Sequence, residues 1–216
     1  MELLLERLQG PLDAALPLLS ADEHDRAARL RQPVHRQRFV LAHAFLRRKL
    51  GERLGHHPAA LRFGHGPEGK PLLAGLHFNL SHSGDLAVLA LSTRHPVGVD
   101  IEALQPIDAL GLARAHFAPS EAALIADLDD PLAAFYRLWA RKEAALKAHG
   151  LGIGHSLAEV PTTWVRDFTP AVGYAGALAW LDSAPTLGLA GRLRATRGSR
   201  RLDDIPMLSG PIVIAH

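Results

Sequence analysis

Two stretches of this chain, roughly 40 residues apart, demand different backbone geometries. Val97-Gly98-Val99-Asp100-Ile101-Glu102 alternates apolar and other residues with a period of two. It reads as a strand, with Asp100 and Glu102 on one face about 6–7 Å apart. Phe135-Tyr136-Arg137-Leu138-Trp139-Ala140-Arg141-Lys142-Glu143-Ala144-Ala145-Leu146-Lys147 has helical spacing, which stacks Trp139, Glu143 and Lys147 at i, i+4 and i+8. Two carboxylates on a strand and a third on a helix can hold one hard divalent cation, and a nearby lysine can hold a phosphate oxygen. That is the skeleton of a Mg²⁺-assisted phosphoryl-type transfer site. The plainer readings are exposed carboxylates on a half-buried strand, a core Trp139, and a Glu143–Lys147 helix pair worth about 0.2–0.5 kcal/mol.

At 216 residues the chain is one large domain or two small ones, with ample length for a core. Hydrophobic content of 48% and charged content of 21% suit a folded soluble protein. The absence of cysteine excludes disulfides and Cys-ligated zinc, and allows a reducing compartment. The N-terminus is acidic before it is basic and its apolar run is short, so no secretory signal is read. No run of about 18 apolar residues predicts a transmembrane helix, which leaves the cytoplasm as the default location and no membrane partner. Net charge is only +2, but nine basic residues and one acid lie between Arg26 and Arg53. Such a cluster suits an anionic partner, a phosphorylated small molecule, an acidic protein or a nucleic acid, or is simply a solvated helix face.

In chain order, a weak strand spans Met1–Leu8 and Gly10-Pro11 marks a turn. Ser20 with Glu23 is a capping-box pattern that starts a helix, and Pro33 interrupts it. A stronger helix runs from about Val34 to Leu54, with Phe39, Val40, Ala42, Phe45, Leu46 and Leu50 on its apolar face and Gly55 as its stop. Residues 56–75 read as loop. Strands follow at Phe78–Ser81, Leu86–Ser92 and Val97–Glu102, then a short helix at Ile107–His116 and another capped by Ser120. The Trp139 helix spans Pro131–His149 and ends at Gly150. Short apolar runs at Trp164–Phe168, Ala177–Leu181, Leu187–Leu193 and Pro211–Ile214 predict a closing sheet. The fold class is α+β.

Several motifs narrow the chemistry. Gly64-His65-Gly66-Pro67-Glu68-Gly69-Lys70-Pro71 nearly has P-loop spacing, but Pro71 stands where the Mg²⁺-binding hydroxyl is needed, which excludes a P-loop NTPase. Phe78-Asn79-Leu80-Ser81-His82-Ser83-Gly84-Asp85 is either a polar pocket for phosphate or a hairpin turn. It lacks the G-x-S-x-G elbow of a serine hydrolase. The 13 histidines include no H-E-x-x-H pair, so zinc catalysis is not read.

Taken together, Gly69-Lys70-Pro71, Phe78–Gly84, Val97–Glu102, Phe117-Ala118-Pro119-Ser120-Glu121, Trp139–Lys147 and Gly150-Leu151-Gly152 resemble the 4′-phosphopantetheinyl transferases of the surfactin-synthetase-activating (Sfp-type) class. The order and spacing match across about residues 26–155. The resemblance implies two similar α/β halves about a pseudo-twofold axis, residues 1–96 on the coenzyme A 3′-phosphate and adenine side and 97–216 carrying the metal site and catalytic helix. It implies transfer of the phosphopantetheine arm of coenzyme A to a serine of an apo acyl or peptidyl carrier protein, releasing 3′,5′-ADP, by a monomer.

Position by position, the resemblance makes Asp100, Glu102 and Glu143 ligands of Mg²⁺, with Mn²⁺ acceptable to the same oxygens. Glu143 is also the proposed base, Lys147 lies near the pyrophosphate, and Asp100, Glu143 and Lys147 form the catalytic set. Lys70 and Pro71 match a loop beside the adenine, Ser81 and His82 match phosphate contacts, and Arg36 matches a residue near the 3′-phosphate. Lys142 and Glu121 match positions near the diphosphate and metal. Ala21 and His24 stand where lysines are expected, with Arg26, Arg29 or Arg31 as substitutes. Two other readings compete: a non-catalytic coenzyme A or carrier-binding module, and a nucleic-acid binder using the Arg26–Arg53 cluster. The second lacks interleaved aromatics and leaves the carboxylates unexplained, so no nucleic-acid partner is expected.

Overall fold

The computed structural model describes residues 1–152, 154–161 and 163–181, with the backbone of 213–215. Its elements in order are β1 (Glu2–Arg7), α1 (Leu12–Ala15), α2 (Ala21–Arg29), α3 (Pro33–Leu54), β2 (Gly64–His65), β3 (Pro71–Leu72), β4 (His77–Ser83), β5 (Leu86–Ser92), β6 (Val97–Ala103), α4 (Ala109–His116), α5 (Pro119–Ala126), α6 (Pro131–His149), β7 (Trp164–Phe168), β8 (Tyr174–Trp180) and β9 (Val213–Ala215). Two larger sheets result, one ordered β4-β5-β1-β9 and one ordered β6-β8-β7, beside a short β2-β3 ladder. The strand predicted at Leu187–Leu193 lies outside the described residues. Of the Pro211–Ile214 run, the described backbone joins β9, which returns to pair parallel with β1.

The helix ends obey local chemistry. Ser20 and Glu23 close the expected capping box on α2. Pro33 opens α3 instead of merely breaking its predecessor, because its missing N–H falls where no helical bond is owed. Gly55 and Gly150 end α3 and α6 in the left-handed conformation that favours glycine. Ser120 is not a cap: Pro119 takes the first helical position of α5, and the Glu121 carboxylate reaches back 3.0 Å to the Ala118 N–H. The segment read as loop carries the β2–β3 ladder.

The layers follow from which faces are apolar. The predicted face of α3 (Phe39, Val40, Ala42, Phe45, Leu46, Leu50) is buried. Its central part packs with Phe78, Ala87, Leu89 and Leu91 of the first sheet. The other face of that sheet, Leu3, Leu86, Val88 and Ala90, meets Val97, Val99, Ile101, Leu178 and Trp180 of the second. Beyond the second sheet lies α6, joined to it through alanines: Ala140, Ala144, Ala145 and Ala148 against Ala177 and Ala179. Small side chains allow very close approach. At Gly98 an added Cβ would stand 2.0 Å from the carbonyl oxygen of Ala144. This approach brings the polar face of β6 beneath α6.

Candidate active site at the β4, β6 and α6 junction

One edge of β6 pairs with β8, with Asp100 opposite Ala177 and Ala103 opposite Tyr174. Among the described residues the other edge has no backbone partner strand. Side chains of β4 satisfy it: Asn79 Oδ1 accepts from the Val99 N–H at 2.8 Å, Ser81 Oγ from Ile101 at 3.3 Å, and Ser83 Oγ from Ala103 at 3.0 Å. Residues two apart on a strand share a face, so Asn79, Ser81 and Ser83 form a ladder of side chains between the sheets. The two serines also donate. Ser81 Oγ gives its proton to Asp100 Oδ1 at 3.0 Å, and Ser83 Oγ gives its proton to Glu102 Oε2 at 3.0 Å.

Asp100 is buried, and Lys147 Nζ on α6 lies 2.5 Å from its Oδ1. Its second oxygen, Oδ2, is buried with no hydrogen-bond partner among the described residues. Burial pushes the Asp100 carboxyl above the usual range despite Lys147. Burial and then the Asp100 charge push Glu102 up to about 7. Glu143, half-buried on α6, is raised by burial and by Asp100, with Lys147 opposing. Three carboxyls that disfavour their own charge, one with an orphaned oxygen, form a site short of positive charge. The donors are all hard oxygens, which fits a divalent cation of the Mg²⁺ type. As arranged, no three His, Cys, Asp or Glu side chains among the described residues stand close enough to hold a metal ion; Lys147 holds Asp100 Oδ1 instead.

The remaining expected residues fall in distinct places. Ser81 and His82 occupy opposite faces of β4, as adjacent strand residues must. His82 turns toward the α3 side, where burial and the charges of His43, Lys147, Arg38 and Arg26 push it down to about 4. Lys70 Nζ caps the end of α6 and the start of β6, donating to the carbonyls of Lys147 (2.5 Å), Val97 (2.8 Å) and Ala148 (3.4 Å). Burial lowers it to about 8. Pro71 begins β3 beside it. Arg36 is exposed in the first turns of α3, donating to the Leu30 carbonyl at 3.2 Å. Lys142 turns away from the carboxylates: it is buried, 2.8 Å from Glu121, donates to the Leu157 carbonyl at 2.7 Å, and lies over the Phe117 ring.

Sequence reasoning missed several neighbours. Arg38 and His43, on α3, are among the groups whose charges bear on His82. Arg26 stands over the Phe39 ring at 5.5 Å, and that ring stacks on His43 at 3.8 Å. Of the three upstream arginines considered as substitutes, Arg26 is the one whose charge reaches His82. The structural use of Asn79 and Ser83 was legible in principle, because Asn79, Ser81 and Ser83 alternate with Phe78 and Leu80.

The model of the 4′-phosphopantetheinyl transferase superfamily matches residues 96–182, from β6 to the end of β8. The chain is 40% identical over 158 residues to the 4′-phosphopantetheinyl transferase HetI of Nostoc sp. strain PCC 7120, covering 69% of this chain and 67% of that protein. It is 38% identical over 151 residues to a putative 4′-phosphopantetheinyl transferase of Synechocystis sp. strain PCC 6803, covering 66% and 61%. Against the 4′-phosphopantetheinyl transferase Sfp of Bacillus subtilis strain 168 it is 29% identical over 143 residues, covering 64% and 63%. The aligned part thus spans about two thirds of these relatives' own lengths. With the matched region falling on the strand and helix that carry the three carboxyls, the chain belongs to the 4′-phosphopantetheinyl transferase superfamily.

Proposed function

We propose that this chain transfers the 4′-phosphopantetheine arm of coenzyme A to a serine of an apo acyl or peptidyl carrier protein. The observation that carries the reading is the buried Asp100, with one oxygen held by Ser81 and Lys147 and the other unpartnered, beside two further carboxyls of raised pKa. In the reaction the serine oxygen forms a bond to the phosphorus next to the pantetheine. The bond from that phosphorus to the oxygen of 3′,5′-ADP breaks, and the serine proton leaves to a base.

Asp100, Glu102 and Glu143 would hold Mg²⁺, or Mn²⁺ in its place. When bound, such an ion neutralises the diphosphate oxygens and the charge that develops on the departing 3′,5′-ADP. Glu143 is the base on this reading, directly or through a water. Its burial makes it more basic than an exposed glutamate, which suits proton abstraction near neutral pH. Lys147 supplies a cation from the same helix and would neutralise a diphosphate oxygen. Arg26 and Arg38, with Arg36 farther up the helix, form the cationic side that would take the 3′-phosphate, and His82, held neutral by its surroundings, would add a ring N–H donor. Lys70 and Pro71 would line the adenine side. Lys142 supports the site from behind by tying α6 to Glu121.

We also propose the halves 1–96 and 97–216 about a pseudo-twofold axis; a long helix backs a sheet in each, α3 on the first and α6 on the second. A single chain would then supply the whole site and act as a monomer in the cytoplasm. No described helix is long and apolar enough to cross a membrane. The test is Asp100→Ala, assayed by intact mass of an apo carrier: turnover disappears while the circular dichroism spectrum stays that of the wild type. Normal turnover by that variant would sink the assignment of the site.

A further inference from the structure

A closed ring of contacts meets Glu102 at Ser83. Ser83 Oγ donates to Glu102 Oε2 and accepts the Ala103 N–H, both at 3.0 Å. Ala103 is paired with Tyr174 across the β6–β8 ladder. The Tyr174 hydroxyl in turn donates to Asp85 Oδ1 at 2.6 Å and accepts the Asp85 N–H at 3.2 Å. Asp85 lies two residues beyond Ser83, across Gly84, in the β4–β5 turn. Gly84 has a φ of +57°, and a Cβ there would stand 2.4 Å from the Tyr174 hydroxyl oxygen and 3.2 Å from the Ala103 Cβ. The turn is therefore pressed against β8 with no room for a side chain. Its other end is fixed as well: the Leu8 N–H donates to the Asp85 carbonyl at 2.7 Å, and Arg7 pairs with the Asp85 carboxylate at 2.8 Å.

We propose that Ser83 is a positioning residue for Glu102, and that Tyr174, by latching Asp85, fixes the turn that presents Ser83. A serine hydroxyl has one proton and two lone pairs. With one lone pair taken by the Ala103 N–H, its proton is directed at Glu102, and the carboxylate is oriented without depending on its own flexible stem. Asp100 receives the same treatment from Ser81, but there Lys147 adds a second hold; among the described residues Glu102 has only Ser83. The device spans both sheets, since Ser83 and the turn that carries Asp85 belong to the first and Glu102 and Tyr174 to the second. The orientation of Glu102 thereby reports how the sheets are docked.

This inference rests on the reading of Asp100, Glu102 and Glu143 as a cation site, and the test separates the two. Free Mn²⁺ is followed by electron paramagnetic resonance during titration of the full chain. The proteins are wild type, Ser83→Ala, Tyr174→Phe, the double variant and Asp100→Ala, each checked by circular dichroism. Outer partners of metal-binding carboxylates are worth about 10–100-fold in affinity. Ser83→Ala is expected to weaken Mn²⁺ binding at least tenfold, and Tyr174→Phe to weaken it less. The double variant is expected to be no weaker than Ser83→Ala alone, because Tyr174 acts through Ser83. Should Ser83→Ala fail to fold, Tyr174→Phe leaves every hydrogen bond to β6 in place and still has to show weakened binding. Wild-type affinity in Ser83→Ala or in Tyr174→Phe, or multiplied losses in the double variant, overturns the proposal while Asp100→Ala still loses Mn²⁺. If Asp100→Ala binds Mn²⁺ as the wild type does, the cation site falls and the inference with it.

Discussion

Gly98→Ala is the smallest substitution that should disable the site without touching any of its polar atoms. The added Cβ would lie 2.0 Å from the Ala144 carbonyl oxygen, 2.3 Å from the Ala148 nitrogen and 2.8 Å from the Lys147 carbonyl carbon. All three are backbone atoms of α6, so no rotamer change can relieve the contact. Ordinary contact begins near 3.4 Å, so the helix must retreat from β6 by about 1.4 Å, or the strand must sink by as much. Either movement stretches the Lys147–Asp100 contact of 2.5 Å and carries Glu143 away from the strand. Overpacking of a tight core costs about 1–3 kcal/mol. For a chain of this size that corresponds to a melting temperature lower by roughly 2–12 °C. Displacement of about 1 Å in a catalytic constellation can cost about 100-fold in rate. Differential scanning fluorimetry reads the first effect, and initial rates of carrier modification at a temperature where the variant is folded read the second. A Gly98→Ala protein with wild-type melting temperature and wild-type rate would show that the alanine seam does not set the site.

Three further outcomes are expected. Lys142→Met leaves Glu121 half-buried without its cation and removes the bond to the Leu157 carbonyl. Because Glu121 is partly solvated and keeps its bond to the Ala118 N–H, the loss is about 1–3 kcal/mol, visible as a lower urea midpoint with coenzyme A affinity unchanged; a specific loss of coenzyme A binding would restore Lys142 to the ligand side. Glu102 near 7 must lose its proton before it can bind a cation. Mn²⁺ affinity should therefore fall at least tenfold from pH 8 to pH 6, and Glu102→Gln should flatten that dependence; a pH-independent affinity contradicts it. Arg38→Ala should raise the KM for coenzyme A about tenfold or more, the worth of one charge-assisted hydrogen bond, with a smaller effect on 3′-dephospho-coenzyme A. Equal effects on both would place Arg38 elsewhere in the cleft.

Much of this was legible in the sequence because periodicity is dictated locally. The period of two in Val97–Glu102 and the helical stripe through Glu143 and Lys147 gave the right elements, and the apolar face of α3 was read residue by residue. What periodicity cannot give is the partner of a strand edge. The β6 edge away from β8 is met by side chains of β4, an arrangement that leaves no mark in either strand beyond three alternating polar residues. Nor does it give the direction of neighbours: Lys142 and Glu143 are adjacent in sequence, yet the 100° step of a helix sends one to Glu121 and the other toward Asp100. Lys70 sits in the segment that reads as loop, and its burial against the end of α6 depends on a contact 77 residues away. Ser120 illustrates a third kind of miss, since the cap pattern was present but the preceding proline claimed the first helical position.

The most direct measurement is the intact mass of an apo carrier protein incubated with this chain, coenzyme A and Mg²⁺, beside an identical reaction containing EDTA. The account predicts a gain of one phosphopantetheine with metal and none with EDTA. An unmodified carrier across several carrier types, or a gain indifferent to EDTA, would contradict it.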